Sequence, residues 1–157
     1  MTKEEAQSLE RAALTAYTLN GIGIDVGCGD SKFEGNNIIG IDKYHPKANR
    51  IFDFEAMPIR EQLDFVIMSH YLRYTRDVML NLKKAIQFLA PGGKLLIVEM
   101  EVRDPNAPSY YNFPEMEGLL LLFEDWVHID FKGPALKGFS YYYICTRKES
   151  YVNPIPE

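Results

Sequence analysis

Along the chain, apolar residues fall into compact runs that stop at a polar residue or a glycine. They are "GIGIDV" over Gly21–Val26, "IIGID" over Ile38–Asp42, "RIFD" over Arg50–Asp53, "LDFVIMS" over Leu63–Ser69 and "KLLIVE" over Lys94–Glu99. Runs this short, with β-branched residues and turn formers at their ends, predict strands. Their near-continuous apolarity suits strands buried on both faces, as in a parallel sheet. Helical spacing occupies the intervals. Thr2 with Glu5 reads as a capping box that opens a helix reaching about Leu19, where Asn20-Gly21 stops it. In "TRDVMLNLKKAIQFLAPGG", Val78, Leu82, Ile86 and Leu89 form one stripe, Asp77 lies in the first turn and Pro-Gly-Gly is the stop. That segment predicts a crossover helix. A second helix is expected over about Glu115 to Glu124, and "WVHIDF" and "FSYYYICTRK", joined by "KGPALKG", predict two strands in a hairpin-like ending.

Two connectors are short. About eight residues separate Gly29 from the second strand and about seven separate the second from the third, against the dozen or so of a helical crossover. Eight extended residues still reach roughly 26 Å, enough to return along a short strand. One face around the first three strands is then left to the N-terminal helix, and the uncovered apolar area predicts a homodimer. No repeat, low-complexity tract or long linker interrupts the chain, so a single domain over residues 1–157 is expected.

Composition narrows the function classes. The longest apolar run, Leu119 to Phe123, is too short to cross a bilayer, and "MTKEEAQSLERAAL" lacks the apolar core of a secretory signal, which predicts a cytoplasmic location. The formal net charge of −5 gives no general footprint for phosphate backbones, so nucleic acid is not the expected partner. Cys28 and Cys145 fall in different elements, and His45, His70 and His128 are scattered. Reduced thiols and no metal site follow.

The chemistry concentrates at "GIDVGCGDSKF", Gly23 to Phe33. In an open parallel sheet, ligands bind outside the carboxyl ends of the strands, where the polar strand-end residues gather. Gly27 and Gly29 let backbone approach a ligand closely, and Asp25 can hold the loop or receive a cationic amino group. Asp42 ends the second strand, where a carboxylate commonly accepts hydrogen bonds from ribose hydroxyls. A nucleoside is the expected ligand. The dinucleotide fingerprint would need a third small residue where Lys32 stands, and there is almost no room for the helix that cradles a pyrophosphate. A nucleoside cofactor without phosphates suits the acidic site better.

At this point residues 21 to 100 resemble a known family, the class I S-adenosylmethionine-dependent methyltransferases, in particular the short type 11 branch associated with small-molecule or glycan methylation. The resemblance rests on "DVGCGDSKF", "IIGID", "FDFEAMPI", "LDFVIMSHYL" and "LAPGGKLLIVE", taken in order and spacing. It implies a Rossmann-like α/β sheet, mostly parallel with an antiparallel C-terminal strand and with reduced helices between the first three strands. It also implies S-adenosylmethionine as cofactor. Asp25, Gly27, Cys28 and Gly29 would line its methionine part, Asp42 would take the ribose, Asp53 with the Phe54 backbone would address the adenine edge, and Ser69 with His70 would border the methyl group.

Where the family commonly has Ser-His-x-x-Glu-His, this chain reads "SHYLRY", with Arg73 and Tyr74 at the acidic and second histidine positions. The leading expectation is a methyltransferase acting on a small molecule or sugar. His70 would be the base for a hydroxyl acceptor, and Tyr71, Tyr74, Tyr110 and Tyr111 are candidates to line the acceptor pocket. Arg73 could depress the histidine pKa or clamp an anionic acceptor such as a carboxylate. The competing expectation is a cofactor-binding, catalytically degenerate interaction protein.

Overall fold

The computed structural model describes residues 5, 20–28, 37–44, 48–59, 62–100, 113–136 and 140–149. The helix expected before Leu19, together with Gly29, Lys32, His45, Tyr110 and Tyr111, lies outside the described residues apart from Glu5. The strands are β1 (Gly23–Val26), β2 (Ile38–Asp42), β3 (Arg50–Ile51), β4 (Leu63–Ser69), β5 (Leu89–Met100), β6 (Val127–Leu136) and β7 (Ser140–Arg147). Two α-helices are described, α1 (Val78–Phe88) and α2 (Phe113–Leu121), with short 3-10 turns at Phe54–Ala56 and Leu72–Tyr74.

The strands form one sheet in the order β3-β2-β1-β4-β5-β7-β6. Pairing is parallel from β3 through β5, whereas β7 runs antiparallel to both β5 and β6. The order reverses between β1 and β4, so the carboxyl ends of β1, β2 and β4 open onto one switch point, where α/β sheets take their ligands.

Alternation along each strand sorts the core into two layers. One face carries Ile24, Val26, Val66, Met68, Leu95, Ile97, Tyr143 and Cys145, packed with Leu82, Ala85 and Ile86 of α1 and Met116 and Leu120 of α2. The other carries Ile38, Phe65, Ile67, Leu96, Val98, Tyr142 and Ile144. Burial on both faces of β4 explains why its sequence reads as an unbroken apolar run. The helix α1 is fixed at its start by Asp77, whose carboxylate accepts from the Leu80 N–H at 2.9 Å. Cys28 and Cys145 are both buried and neither is in a disulfide, and burial followed by the nearby Asp130 pushes the Cys145 thiol up to about 12, which keeps it an inert core residue.

Several boundaries differ from the sequence expectation. β3 stops at Ile51, and Asp53 instead caps the following 3-10 turn. α1 ends at Phe88, before Pro-Gly-Gly, and Leu89 already pairs with Leu63 as the first residue of β5. α2 begins two residues earlier than expected and closes at Leu121. β6 continues through "KGPAL", the stretch read as a connector. It is an edge strand, where Pro134 is tolerated because one row of its backbone groups has no ladder to join.

Candidate functional site

Two backbone hydrogen bonds build the centre of the site. After Val26 the chain turns at Gly27, whose φ of 68° favours glycine, and the N–H groups of Gly27 and Cys28 both donate to the Ile41 carbonyl at 2.7 and 3.1 Å. The glycine turn is thereby clamped beside Asp42, the next residue of β2. Asp25 lies two residues earlier within β1, buried between Gly40 and Ile67 in the register.

The carboxylates at the strand ends have structural partners as well. Asp42 Oδ1 accepts from the Tyr44 N–H at 2.9 Å, a local turn that fixes the side chain at the edge. Asp53 Oδ1 accepts from the Glu55 N–H at 3.1 Å, and Oδ2 lies 3.5 Å from Lys43 Nζ. The Lys43 ammonium has its pKa raised, first by its contact with Tyr44 and then by Asp53. The Phe52 N–H donates to the Asp42 carbonyl at 3.0 Å, which holds the two acidic strand ends side by side. Phe54 is buried against Phe88, at 5.6 Å between ring centroids.

Tyr71 joins these pieces. A Cβ added at Gly27 would stand 2.5 Å from Tyr71 Cδ1, so the bare face of the glycine is in contact with that ring. The ring meets Phe54 edge-on at 6.1 Å. Its hydroxyl donates to Asn81 Oδ1 at 2.7 Å, and Asn81 Nδ2 donates to Glu55 Oε1 and to the Asp77 carbonyl, both at 2.8 Å. Burial, then the charges of Glu55 and Asp53, pushes the Tyr71 phenol well above its ordinary value, so it stays protonated and donating. Lys84 Nζ, its pKa lowered by burial, donates to the Glu55 carbonyl at 2.6 Å. One side chain thus bridges the glycine turn, the turn after β3 and α1. Tyr71 is therefore a half-buried strut of this edge, held at its ring and at its hydroxyl. Asn81 was not singled out from sequence, although a polar residue one place from Leu82 in the apolar stripe of α1 is the pattern that flags a buried polar anchor.

On the other side of Tyr71 lie Ser69 and His70. Ser69 ends β4 opposite Val98, and the His70 N–H donates to the Val98 carbonyl at 2.8 Å. His70 is buried and has φ 55°, the one left-handed non-glycine residue among those described. Such strain, of order 1 kcal/mol or more, concentrates at functional sites. Beyond His70, Arg73 and Glu99 are both buried, and the Arg73 N–H approaches Glu99 Oε1 at 3.4 Å. Tyr74 is exposed under the Arg73 guanidinium, 5.1 Å from its ring centroid.

The carboxyl edge therefore reads, in order, Asp53, Asp42, Gly27, Tyr71, His70, Arg73 and Glu99. Gly29 lies outside the described residues. Of the residues singled out from sequence, Asp25, Gly27, Cys28, Asp42, Asp53, Phe54, Ser69 and His70 all come to this edge or just beneath it. The side chains toward β2 and β3 include the acceptor carboxylates of Asp42 and Asp53, which fits a ligand offering hydroxyls and a cationic group. A cleft of about 470 Å³ between α2 and β6 lies at the opposite, amino end of β6 and shares none of these residues. Among the described residues, no cluster of His, Cys, Asp or Glu could hold a metal ion, and no helix is long and apolar enough to cross a membrane.

The chain matches a family model described as a methyltransferase domain over residues 3–143. No curated protein matches it. Among solved structures it is similar to the N-methyltransferase NodS from Bradyrhizobium japonicum WM9, in complex with S-adenosyl-L-homocysteine. Identity there is 16%, the TM-score is 0.64, and 92% of this chain and 86% of that one are covered. It is also similar to the 1,6-didemethyltoxoflavin-N1-methyltransferase of Burkholderia thailandensis, with bound 1,6-didemethyltoxoflavin and S-adenosylhomocysteine, at 15% identity, TM-score 0.72 and coverage of 93% and 80%. An S-adenosylmethionine-dependent methyltransferase from Thermotoga maritima gives 19% identity, TM-score 0.68 and coverage of 90% and 89%. At these identities the structural likeness establishes the shared fold.

Proposed function

We infer, from the premise that this chain belongs to the class I S-adenosylmethionine-dependent methyltransferases, that it binds S-adenosylmethionine at the carboxyl edge and methylates a small molecule or sugar. The observation that carries the reading is the clamp of the Gly27–Cys28 turn onto the Ile41 carbonyl, which sets the glycine turn and Asp42 side by side. In this reading Asp25, Gly27, Cys28 and Gly29 line the methionine part, Asp42 accepts from the ribose hydroxyls, and Asp53 with the Phe54 backbone meets the adenine edge. Ser69 and His70 border the reacting methyl. The sulfonium of the bound cofactor supplies an electrophilic methyl group, so the chain's own task is largely to position an acceptor and remove its proton. In this reading His70 takes that proton when the acceptor is a hydroxyl.

Replacing Asp42 tests the reading directly. Asp42→Ala should weaken binding of S-adenosylmethionine and S-adenosylhomocysteine by roughly 10- to 100-fold in calorimetry, the loss expected for charge-assisted hydrogen bonds. Asp42→Asn keeps an oxygen for the Tyr44 N–H and should lose most of the same affinity, which separates the charge from the turn. Wild-type protein that binds neither ligand, or that prefers NAD, would overturn the reading.

A second reading, cofactor binding without turnover, has one observation in its favour: a buried arginine occupies the position where the family commonly has an acidic residue. The cytoplasm and a homodimer complete the proposal. Ile51 and Phe52 at the β3 edge are 58% and 50% exposed, an apolar pair that suits a second copy. Light scattering at tens of micromolar should give twice the chain mass, and a monomer there removes the dimer.

A further inference from the structure

Arg73 is 8% exposed, and its Nε has no hydrogen-bond partner among the described residues. A buried guanidinium nitrogen with its donor unmet is costly, and of the groups that can meet it, a carbonyl, a water or an anion, the anion also offsets the buried charge. Glu99, itself buried, meets Arg73 through the backbone N–H. The described contact of the guanidinium itself is with the ring of Tyr74, which is exposed, so the cation lies against a partly exposed aromatic.

Position decides which anion. Asp53, Asp42 and Gly27 lie on the β2–β1 side of His70, whereas Arg73 lies over the end of β5, on the far side. We propose that Arg73 reads a carboxylate on the methyl acceptor, so that the substrate class is small carboxylate-bearing molecules. The inference rests on the methyltransferase reading for the word acceptor, while the carboxylate site itself can be tested without it. A guanidinium fork matches a carboxylate in two parallel hydrogen bonds, which a lysine cannot reproduce. The same chemistry could come from the methionine carboxylate of the cofactor, and the experiment separates the two.

Benzoate with benzamide, and 4-hydroxybenzoate with 4-hydroxybenzamide, are matched probes of similar shape and different charge. Chemical-shift titrations of wild-type protein, alone and with S-adenosylhomocysteine, should show each acid binding about tenfold or more tighter than its amide. Arg73→Gln should erase that preference, Arg73→Lys should reduce it several fold, and S-adenosylhomocysteine affinity should stay within about twofold in both. Circular dichroism reports whether each variant is folded. If Arg73→Gln does not fold, the wild-type preference and its reduction in Arg73→Lys still decide. No acid preference in wild type, or a preference intact in a folded variant, overturns the proposal. A fall of tenfold or more in S-adenosylhomocysteine affinity, with the acid preference unchanged, assigns the carboxylate to the cofactor and also overturns it. Wild-type protein that prefers acids yet binds no S-adenosylhomocysteine keeps the carboxylate site and discards the methyltransferase reading.

Discussion

Gly27→Ala is expected to lower the thermal unfolding midpoint by roughly 5–20 °C, from two separate costs. A non-glycine residue at φ 68° is strained by about 1–2 kcal/mol. The added methyl also falls 2.5 Å from Tyr71 Cδ1, and overpacking of that kind costs about 1–3 kcal/mol. Tyr71 has little room to yield, because its hydroxyl is held by Asn81 and its ring by Phe54. In a chain of this size each kcal/mol moves the midpoint by about 2–4 °C. Tyr71→Ala supplies the control. In that background Gly27→Ala should retain only the backbone part of the cost, and a double-mutant cycle reads the difference as a coupling of about 1 kcal/mol or more. Equal costs in the two backgrounds would show that the ring does not depend on the bare glycine.

The same contact shows where the sequence was legible and where it was not. β2 and β4 begin and end where their apolar runs do, because each run is buried in a parallel ladder and stops where the chain leaves the sheet. The glycine turn and Asp42 could be placed together for the same reason. Boundaries governed by pairing partners were less visible. The "LAPGG" segment has the composition of a helix stop, yet Leu89 pairs with Leu63 and the irregularity is absorbed by a register shift before Phe65, with Gly92 at φ 80°. Asp53 follows a strand and precedes a turn, so a ligand carboxylate and a capping carboxylate have the same pattern, and the structure gives it the capping bond in either case.

Contacts between distant segments leave the weakest trace. The sequence offers Tyr71 only as one of four candidate pocket tyrosines, and its partners Gly27, Phe54 and Asn81 stand 44, 17 and 10 positions away. No periodicity links them. Arg73 was visible as a departure from a familiar motif, but its burial with an unmet donor is a property of the packed chain.

Replacing His70 should have the largest effect on turnover. It follows directly from β4, and its N–H bond to the Val98 carbonyl fixes the backbone at the junction between that strand and the turn that carries Arg73. A neutral imidazole there can take the proton of an acceptor hydroxyl as the methyl group arrives, and loss of a general base lowers rates by about 10²- to 10⁴-fold. Alanine would confuse the result, because φ 55° strains it and a fall in rate could reflect a shifted loop. Asparagine tolerates the left-handed region and cannot act as the base, so His70→Asn is the informative variant. It should keep its unfolding midpoint within a few degrees and its S-adenosylhomocysteine affinity within a few fold, while methyl transfer falls by about 10²-fold or more. The assay screens hydroxyl, amine, thiol and carboxylate acceptors with wild type first. An acceptor turned over equally by wild type and His70→Asn excludes the base, as is expected for an amine or thiolate already nucleophilic at neutral pH. If no acceptor is methylated by wild-type protein that binds S-adenosylmethionine tightly, the cofactor-binding module without turnover becomes the better account, and the left-handed histidine is then strain kept for binding alone.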